Sequence, residues 1–318
     1  MTTDAIRTVL FTDRQVIVGE RPMPTAGPHD VVVEVTSAGV NGADILQRAG
    51  HYPAPPGTPD DQPGLEFAGR VVDRGNAVTR WAHGDAVMGI VPGAGQSTHV
   101  ATHEDLCLAV PNGVDMANAG GVPEALVTAH DALVSQAGVQ AGERVLVTGA
   151  AGGVGSMAIQ LARGMGAVVV ASVRGRDRRD ALVGLGADIV VNPEEQADAG
   201  PFDVVLELVG APSLATVTAS LATGARVVVI GVGAGARLDL SLLDLMAARA
   251  TLRGSTLRAR PLADRIVASR RAGALFAHLD ARGEVQVPVA SRHDLGAAAQ
   301  AYDAFTTSGT VGKVLLVP

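Results

Sequence analysis

The sequence predicts an α/β protein of two unlike domains, one rich in short β-strands and one a doubly wound parallel sheet. Three observations point there. From Val31 to about Ala101 the chain is written in short Val-rich runs, punctuated by Gly39, Gly75 and Gly84. After Val122, apolar runs of strand length alternate with segments of helical period. With 318 residues the chain is also long enough for two separate cores.

In the first region VVVEVTSAGV, EFAGRVVDRG and DAVMGIV read as strands of a small antiparallel barrel or sandwich. RVLVTG is then a short strand. The segment after its glycine turn sets Val154, Met157, Ala158, Leu161, Ala162 and Met165 on one helical stripe, and Gly166 stops that helix as its C′ residue. AVVVAS follows as a second strand, then a helix from about Asp177 that ends at Gly184 or Gly186. DIVV, FDVVLELVG and ARVVVIG supply three more strands, with PSLATVTASLA as a helix between them. Strands that are apolar throughout and alternate with helices belong to a parallel sheet covered on both faces. The tail breaks this rhythm: helical ADRIVASRRAGALFAHL leads to DLGAAAQAYDAF and a final strand GKVLLV. The tail is expected to return to the first domain. Residues 1–121 and 257–318 would then form one discontinuous domain and 122–256 the other.

Composition narrows the function classes. Apolar residues make up 47% and charged residues 18%, which fits a globular chain and not a disordered one. A net charge of −7 argues against nucleic acid or an anionic membrane as partner, since both require a basic face. The single cysteine, Cys107, excludes an internal disulfide and fits a reducing compartment. The opening MTTDAIRTVLFTD carries an early Asp4 and no apolar core of a signal peptide, and charges interrupt every apolar run before it could span a bilayer. A soluble, cytoplasmic protein is expected.

The stretch VLVTGAAGGVG (Val145–Gly155) places Gly149, Gly152, Gly153 and Gly155 between a strand and an amphipathic helix. Bare backbone N–H groups at a helix start hold phosphate, and this setting predicts a dinucleotide site, although the spacing departs from the strict G-x-G-x-x-G. The second strand selects the cofactor. NAD enzymes place an acid there for the ribose 2′-hydroxyl, whereas this strand ends VVVASVRGRDRR, with Ser172 and Arg174 where the acid would stand and Arg176, Arg178 and Arg179 beyond. Arginines hold a 2′-phosphate by charge-assisted hydrogen bonds, so NADPH is expected. The alternative is a solvated charge run, partly neutralised by Asp177 and Asp180.

The chain resembles the zinc-free quinone oxidoreductases of the medium-chain dehydrogenase/reductase superfamily, those related to zeta-crystallin. The resemblance rests on AGVNGADILQRAGHYPAPPG (Ala38–Gly57), PGLEFAGRV (Pro63–Val71), VPEALVTA (Val122–Ala129), GAAGGVG (Gly149–Gly155) and GKVLL (Gly312–Leu316). It is nearest to the subgroup that reduces ortho-quinones with NADPH. It implies a GroES-like catalytic domain built from both ends of the chain, a Rossmann domain between, and an active site in the cleft. It also implies a homodimer or tetramer joined through Rossmann sheet edges, here near Leu252–Ser255. Zinc-dependent relatives use a Cys and the His of a Gly-His-Glu, where this chain has Asn41 and Gly64-Leu65-Glu66. His99, His103, Glu104 and Cys107 are a rival metal signal, but they flank a β-like segment and read better as surface or core residues. No metal is expected.

Without a Lewis acid, hydride transfer needs an acceptor already short of electrons, such as a quinone or an alkene conjugated to a carbonyl. The protein must position the reactants and offer donors to the acceptor oxygen. The resemblance places Asn41 and Tyr52 in the cleft as catalytic candidates. Asn41 also suits a turn or helix N-cap, and Tyr52, in the Pro-rich HYPAPPG, also suits a packing lid. Asp44 is expected to cap the helix or orient this loop, and Glu66 to serve the site or pair with Arg70 or Arg48. For the cofactor the resemblance carries over Thr128 near the nicotinamide or its phosphate, and Gly152, Gly153 and Val154 under the pyrophosphate. Arg178 falls where the family has a lysine on the 2′-phosphate, with Ser172 and Arg174 beside it. Gly210, Ile230, Gly231 and Val232 would border the ribose and nicotinamide, with Thr256 and Lys313 as outlying contacts. Asn192-Pro193-Glu194 replaces the family's Asn-Tyr-Lys, so the tyrosine over the adenosine is lost. Two other functions share these features. One is an enone or enoyl-thioester reductase; the other is a non-catalytic NADPH-binding sensor or crystallin-like protein.

Overall fold

The computed structural model describes residues 5–307, 309 and 311–318 of the chain, so Asp4 lies outside the described residues. Strands β1 (Ala5–Thr12) and β2 (Gln15–Pro22) form an antiparallel hairpin. Its two-residue turn puts both Asp13 (φ 49°) and Arg14 (φ 64°) in the left-handed region. That backbone is the primed turn whose twist matches a hairpin.

The β-rich domain is organised on β3 (Asp30–Val40), which pairs with β4 (Glu66–Arg74) and with β6 (His99–His103). Strand β5 (Ala86–Ile90) joins β4, and β7 (Cys107–Ala109) joins β5, all antiparallel. Val31, Val33, Val35, Phe67, Val71, Val87 and Val100 form the core beneath these strands, each 5% exposed or less. Between β3 and β4 lies the short helix α1 (Gly42–Arg48).

After α2 (Met116–Ala119) and α3 (Pro123–His130) the parallel sheet begins. Its strands are β8 (Arg144–Val147), β9 (Val168–Ser172), β10 (Ile189–Val191), β11 (Phe202–Glu207), β12 (Leu221–Val229) and β13 (Thr251–Gly254). They are arranged in the order β10-β9-β8-β11-β12-β13. Val145 and Val147 pack into one core cluster while Leu146 packs into another, and the same division separates Val169 and Ala171 from Val170. Both faces are therefore buried at the centre of the sheet, which is why β8, β9 and β11 carry unbroken apolar stretches such as Val145–Val147, Val168–Ala171 and Val204–Leu206. The connecting helices include α4 (Gly153–Gly164), α5 (Arg179–Gly184), α6 (Ala211–Val217) and α7 (Leu242–Ala248). Helix α4 follows the expected stripe and ends before Gly166, whose φ is 82°.

The long α8 (Leu262–Asp280) lies against α3, and its Gly273 is close enough to Leu108 that a Cβ there would come within 2.6 Å of that side chain. After β14 (Val289–Asp294) and α9 (Ala298–Thr307), the last strand β15 (Lys313–Val317) returns to pair with β3, Val314 facing Val40. This single pairing sets Lys313 beside Asn41, 272 residues away in sequence. Among the described residues no helix is long and apolar enough to cross a membrane.

Candidate active site

The site is built where β8 runs into α4. Strand order reverses around β8, with β9 on one side and β11 on the other, and open α/β sheets bind ligands in the crevice at such a point. Gly152 is the N-cap of α4, with no side chain capping the helix. The N–H groups of Gly153, Val154 and Gly155 therefore have no intrahelical acceptor, and they open on a surface where Gly152 is exposed. A pyrophosphate fits this cradle. Gly155 and Gly153 also serve packing. A Cβ on Gly155 would lie 2.7 Å from Gly149 O, so glycine lets the helix close onto the turn. A Cβ on Gly153 would lie 2.4 Å from Lys313 Cδ, so glycine lets that lysine pass.

Lys313 passes the turn to reach a buried cluster. Its Nζ lies 2.5 Å from Asn41 Oδ1 and 2.5 Å from Glu66 Oε1, with Glu66 wholly buried. Asn41 Nδ2 donates to the same Glu66 oxygen at 2.9 Å, and the other oxygen, Oε2, accepts the backbone N–H of Glu124 at 2.9 Å. Asn41 is the N-cap of α1 as expected, yet its amide is spent on this network, and the helix start is capped from within by Asp44. Asp44 Oδ2 accepts Asn41 N at 2.8 Å and Oδ1 accepts Gly64 N at 3.1 Å. Burial pushes the Asp44 carboxyl up to about 6, against those two hydrogen bonds and the charges of Lys313 and Arg258. Gln96 links Asp44 at 3.3 Å to the buried Tyr302, whose hydroxyl donates to Gln96 Oε1 at 2.8 Å.

The pairing of Glu66 corrects the sequence expectation. Arg70 donates to Gly84 O at 2.9 Å, and the Arg48 guanidinium sits over the Tyr302 ring, 5.7 Å from its centre. Four residues along a strand is about 13 Å, beyond the reach of an arginine lying at the exposed end. The buried cation that Glu66 needs comes from β15 instead.

Tyr52 stands at the mouth of this cluster, half-buried in the loop after α1. Arg258, from the segment joining β13 to α8, closes over it: the guanidinium lies 5.5 Å from the ring centre, and Nη1 donates to Tyr52 O at 3.4 Å. Arg258 Nε donates to Pro92 O at 2.6 Å, while Nη2 is buried without a hydrogen-bond partner. Burial raises the Tyr52 hydroxyl above its ordinary value, with the charge of Glu124 adding and that of Arg258 opposing. Thr128 lies one turn along α3 from Glu124 and its Oγ1 meets Glu124 Oε1 at 3.4 Å.

Glu124 and Arg258 escape sequence reasoning. An acid in the first turn of a helix is ordinarily a complement to the macrodipole, and Arg258 reads as one more arginine in STLRAR. Only the tertiary contact sets them opposite Tyr52.

The outer end of the crevice holds the arginines. Ser172 is buried at the end of β9, Arg174 is exposed, Arg179 pairs with Glu195 at 3.6 Å, and Arg178 Nε donates to Gly309 O at 2.6 Å. Asn192 bonds Glu195 Oε2 through its amide at 3.3 Å. Gly210 follows β11, while Ile230, Gly231 and Val232 follow β12 at the same sheet edge. Ile230 N and Gly231 N both donate to Glu207 O, at 2.9 and 3.1 Å. Thr256 is exposed and accepts from Arg260 Nε through its carbonyl at 2.6 Å, so it lies in the segment that delivers Arg258. Lys313, expected among the cofactor contacts, has its ammonium committed to Asn41 and Glu66.

Among the described residues no group of three or more His, Cys, Asp and Glu side chains is placed to hold a metal ion. Burial pushes the Cys107 thiol up to about 12, and the His103 ring stacks on His29 with centres 5.8 Å apart. Metal binding would require a thiolate and free imidazoles.

The family described as "Alcohol dehydrogenase GroES-like domain" matches residues 27–197, and "Zinc-binding dehydrogenase" matches residues 153–268. A quinone oxidoreductase-like protein 2 of Mus musculus is 33% identical over 67% of this chain and 63% of its own length, so the match spans under two thirds of that relative. A quinone oxidoreductase of Rattus norvegicus is 29% identical over 93% of this chain and 91% of its own. The structure of a thermostable alcohol dehydrogenase from Pyrobaculum aerophilum superposes with a TM-score of 0.84 at 28% identity, covering 99% of this chain and 100% of that one.

Proposed function

Because the chain belongs to the medium-chain dehydrogenase/reductase superfamily, in its quinone-oxidoreductase-like branch, we propose that it reduces quinones with NADPH by hydride transfer and without a metal. Ortho-quinone-like acceptors are the expected class. The observation that carries this reading is the commitment of Lys313. Its ammonium neutralises Glu66 and holds Asn41 at 2.5 Å, so the polar floor of the cleft is already bonded. Polarisation of an acceptor then falls to hydrogen-bond donors, which suffices only for acceptors that spread the arriving charge onto oxygen.

Bound along the glycine turn, the reduced nicotinamide supplies the hydride. The chain does the rest. The N–H groups at the start of α4 hold the pyrophosphate, and Arg174 and Arg178 answer the 2′-phosphate, which is the argument for NADPH over NADH. Thr128, Ile230, Gly231 and Val232 border the ribose and nicotinamide. Asn41, fixed from both sides by Lys313 and Glu66, sets the back wall of the acceptor pocket. The Tyr52 hydroxyl and the unpartnered Nη2 of Arg258 are donors for the acceptor oxygen. The lone cysteine suits a reducing, cytoplasmic setting.

In this reading two copies pair through β13. That strand is the exposed edge of the parallel sheet, and Leu242, Leu243 and Met246 of α7 stand near it at 68, 77 and 69% exposure. An open edge beside bare apolar side chains invites a partner. Leu243→Asp with Met246→Asp should convert a dimer to monomer by light scattering, and unchanged mass would remove this interface.

Stopped-flow oxidation of NADPH with ortho-quinones, para-quinones, enones and enoyl thioesters tests the function. Turnover of quinones ahead of the other classes supports the reading. A preference for enoyl thioesters would reassign the acceptor, and cofactor binding without any turnover would make the protein a nucleotide-binding module.

A further inference from the structure

Three carboxyls, those of Asp44, Glu66 and Glu124, gather around two cations, Lys313 and Arg258. Two of the three are provided for. Glu66 has the Lys313 ammonium and two N–H donors, and Asp44 has two backbone N–H groups and Gln96. Glu124 has the Thr128 hydroxyl at 3.4 Å and, among the described residues, no ion pair. A carboxyl without a counter-ion in such a place keeps its proton. Glu124 also keeps part of its surface open, beside Tyr52 and Arg258, where the donors for an acceptor converge.

We propose that Glu124 is the proton donor of the reaction, passing the hydrogen of its carboxyl to the oxygen of the reduced acceptor. The inference rests on the reductase reading above. Hydride arrival on a quinone leaves a hydroquinone anion. The O–H bond of Glu124 then breaks as the O–H bond of the hydroquinone forms, and the carboxylate is reprotonated by water at the cleft mouth. Acceptor, NADPH and one proton go in; reduced acceptor and NADP⁺ come out, so charge and electrons balance.

The groups around Glu124 suit both halves of this cycle. Burial and the charge of Glu66 from β4 push its carboxyl up to about 8; Asp44 from α1 acts in the same direction, while Lys313 from β15 and Thr128 on its own helix oppose. Tyr52 and Arg258 face it from the loops. Near neutral pH the acid is therefore protonated and ready. Once it has given up the proton, Lys313 and Arg258 steady the carboxylate, and Glu66 and Asp44 drive it to regain one.

The test compares wild type with Glu124→Gln, which keeps the shape and the bond to Thr128 but has no acidic proton. NADPH affinity, read by fluorescence, should stay within about twofold. Turnover should fall by about a hundredfold or more, the usual worth of a positioned acid. The alkaline limb of kcat/KM, expected near pH 8 in wild type, should vanish. A variant within about fivefold of wild type, or one that retains that limb, overturns the inference. Infrared difference spectra of wild type give a second reading that needs no variant: a protonated carboxyl present at pH 7 and gone by pH 9, whose absence would also overturn it. If wild type binds NADPH but reduces no acceptor, the reductase reading and this inference fall together. If wild type is active and Glu124→Gln matches it, the inference falls alone.

Discussion

At the outer end of the cleft Arg174 and Arg176 stand in solvent and Arg178 has a backbone carbonyl for partner, whereas at the inner end Lys313, Glu66, Asn41 and Asp44 are buried and bonded to one another. Solvated charges act nearly independently, so each outer arginine can change with local effect. The inner groups share partners. Removing one strands another without water, and the loss spreads. Substitution is thus tolerated at the outer end and not at the inner one.

The strongest way to break this contrast is Lys313→Met. It leaves Glu66 buried without its cation, and denaturant unfolding should register about 3–5 kcal/mol of lost stability. The double variant with Glu66→Gln should recover much of it. A single variant as stable as wild type would mean the inner cluster is not interlocked. Next comes the outer end. Arg174→Ala with Arg178→Ala should weaken NADPH by about 10- to 100-fold, since hydrogen bonds to charged groups are worth about 1.5–3 kcal/mol, and leave NADH and stability nearly untouched. Equal losses for both nucleotides would remove the 2′-phosphate assignment.

A pH series sharpens the comparison. Asp44 and Glu124 hold their protons more tightly folded than unfolded, with values near 6 and 8. Where the folded state binds more protons, stability falls as pH rises. The stability these two acids contribute is complete below about pH 4 and is lost through 6 and then 8, at no more than about 1.4 kcal/mol per pH unit for each proton. Melting curves should decline over that window, and Glu124→Gln should flatten the upper part. A flat wild-type profile would contradict the burial of these acids. The smallest expected effect is Tyr52→Phe, one neutral hydrogen bond or about 1 kcal/mol, seen as about a fivefold lower turnover with NADPH affinity unchanged. Unchanged kinetics would leave Tyr52 as packing.

The parallel sheet was legible in the sequence because each of its signals is local. RVLVTG, AVVVAS and FDVVLELVG are strands in the structure, and the stripe from Val154 to Met165 is α4. The β1–β2 hairpin was not legible, because its turn is Asp13-Arg14 where glycine or asparagine would give the signal. The inner cluster divides the same way. Asn41 and Tyr52 stand in a recognisable stretch, whereas the partner of Glu66 is set by the β3–β15 pairing across most of the chain. Glu124 stands where an ordinary first-turn acid would, and burial together with the charge of Glu66 sets its carboxyl apart.

The crossing of Lys313 past Gly153 also bears on how the protein comes into being. A ribosome lays down Glu66 and Asn41 long before it reaches the residue that neutralises them, 272 positions after Asn41. Until that late lysine emerges, a nascent chain carries an orphan anion where its own strands want to close. The parallel sheet, whose strand pairings all lie between Arg144 and Gly254, waits on no such late strand.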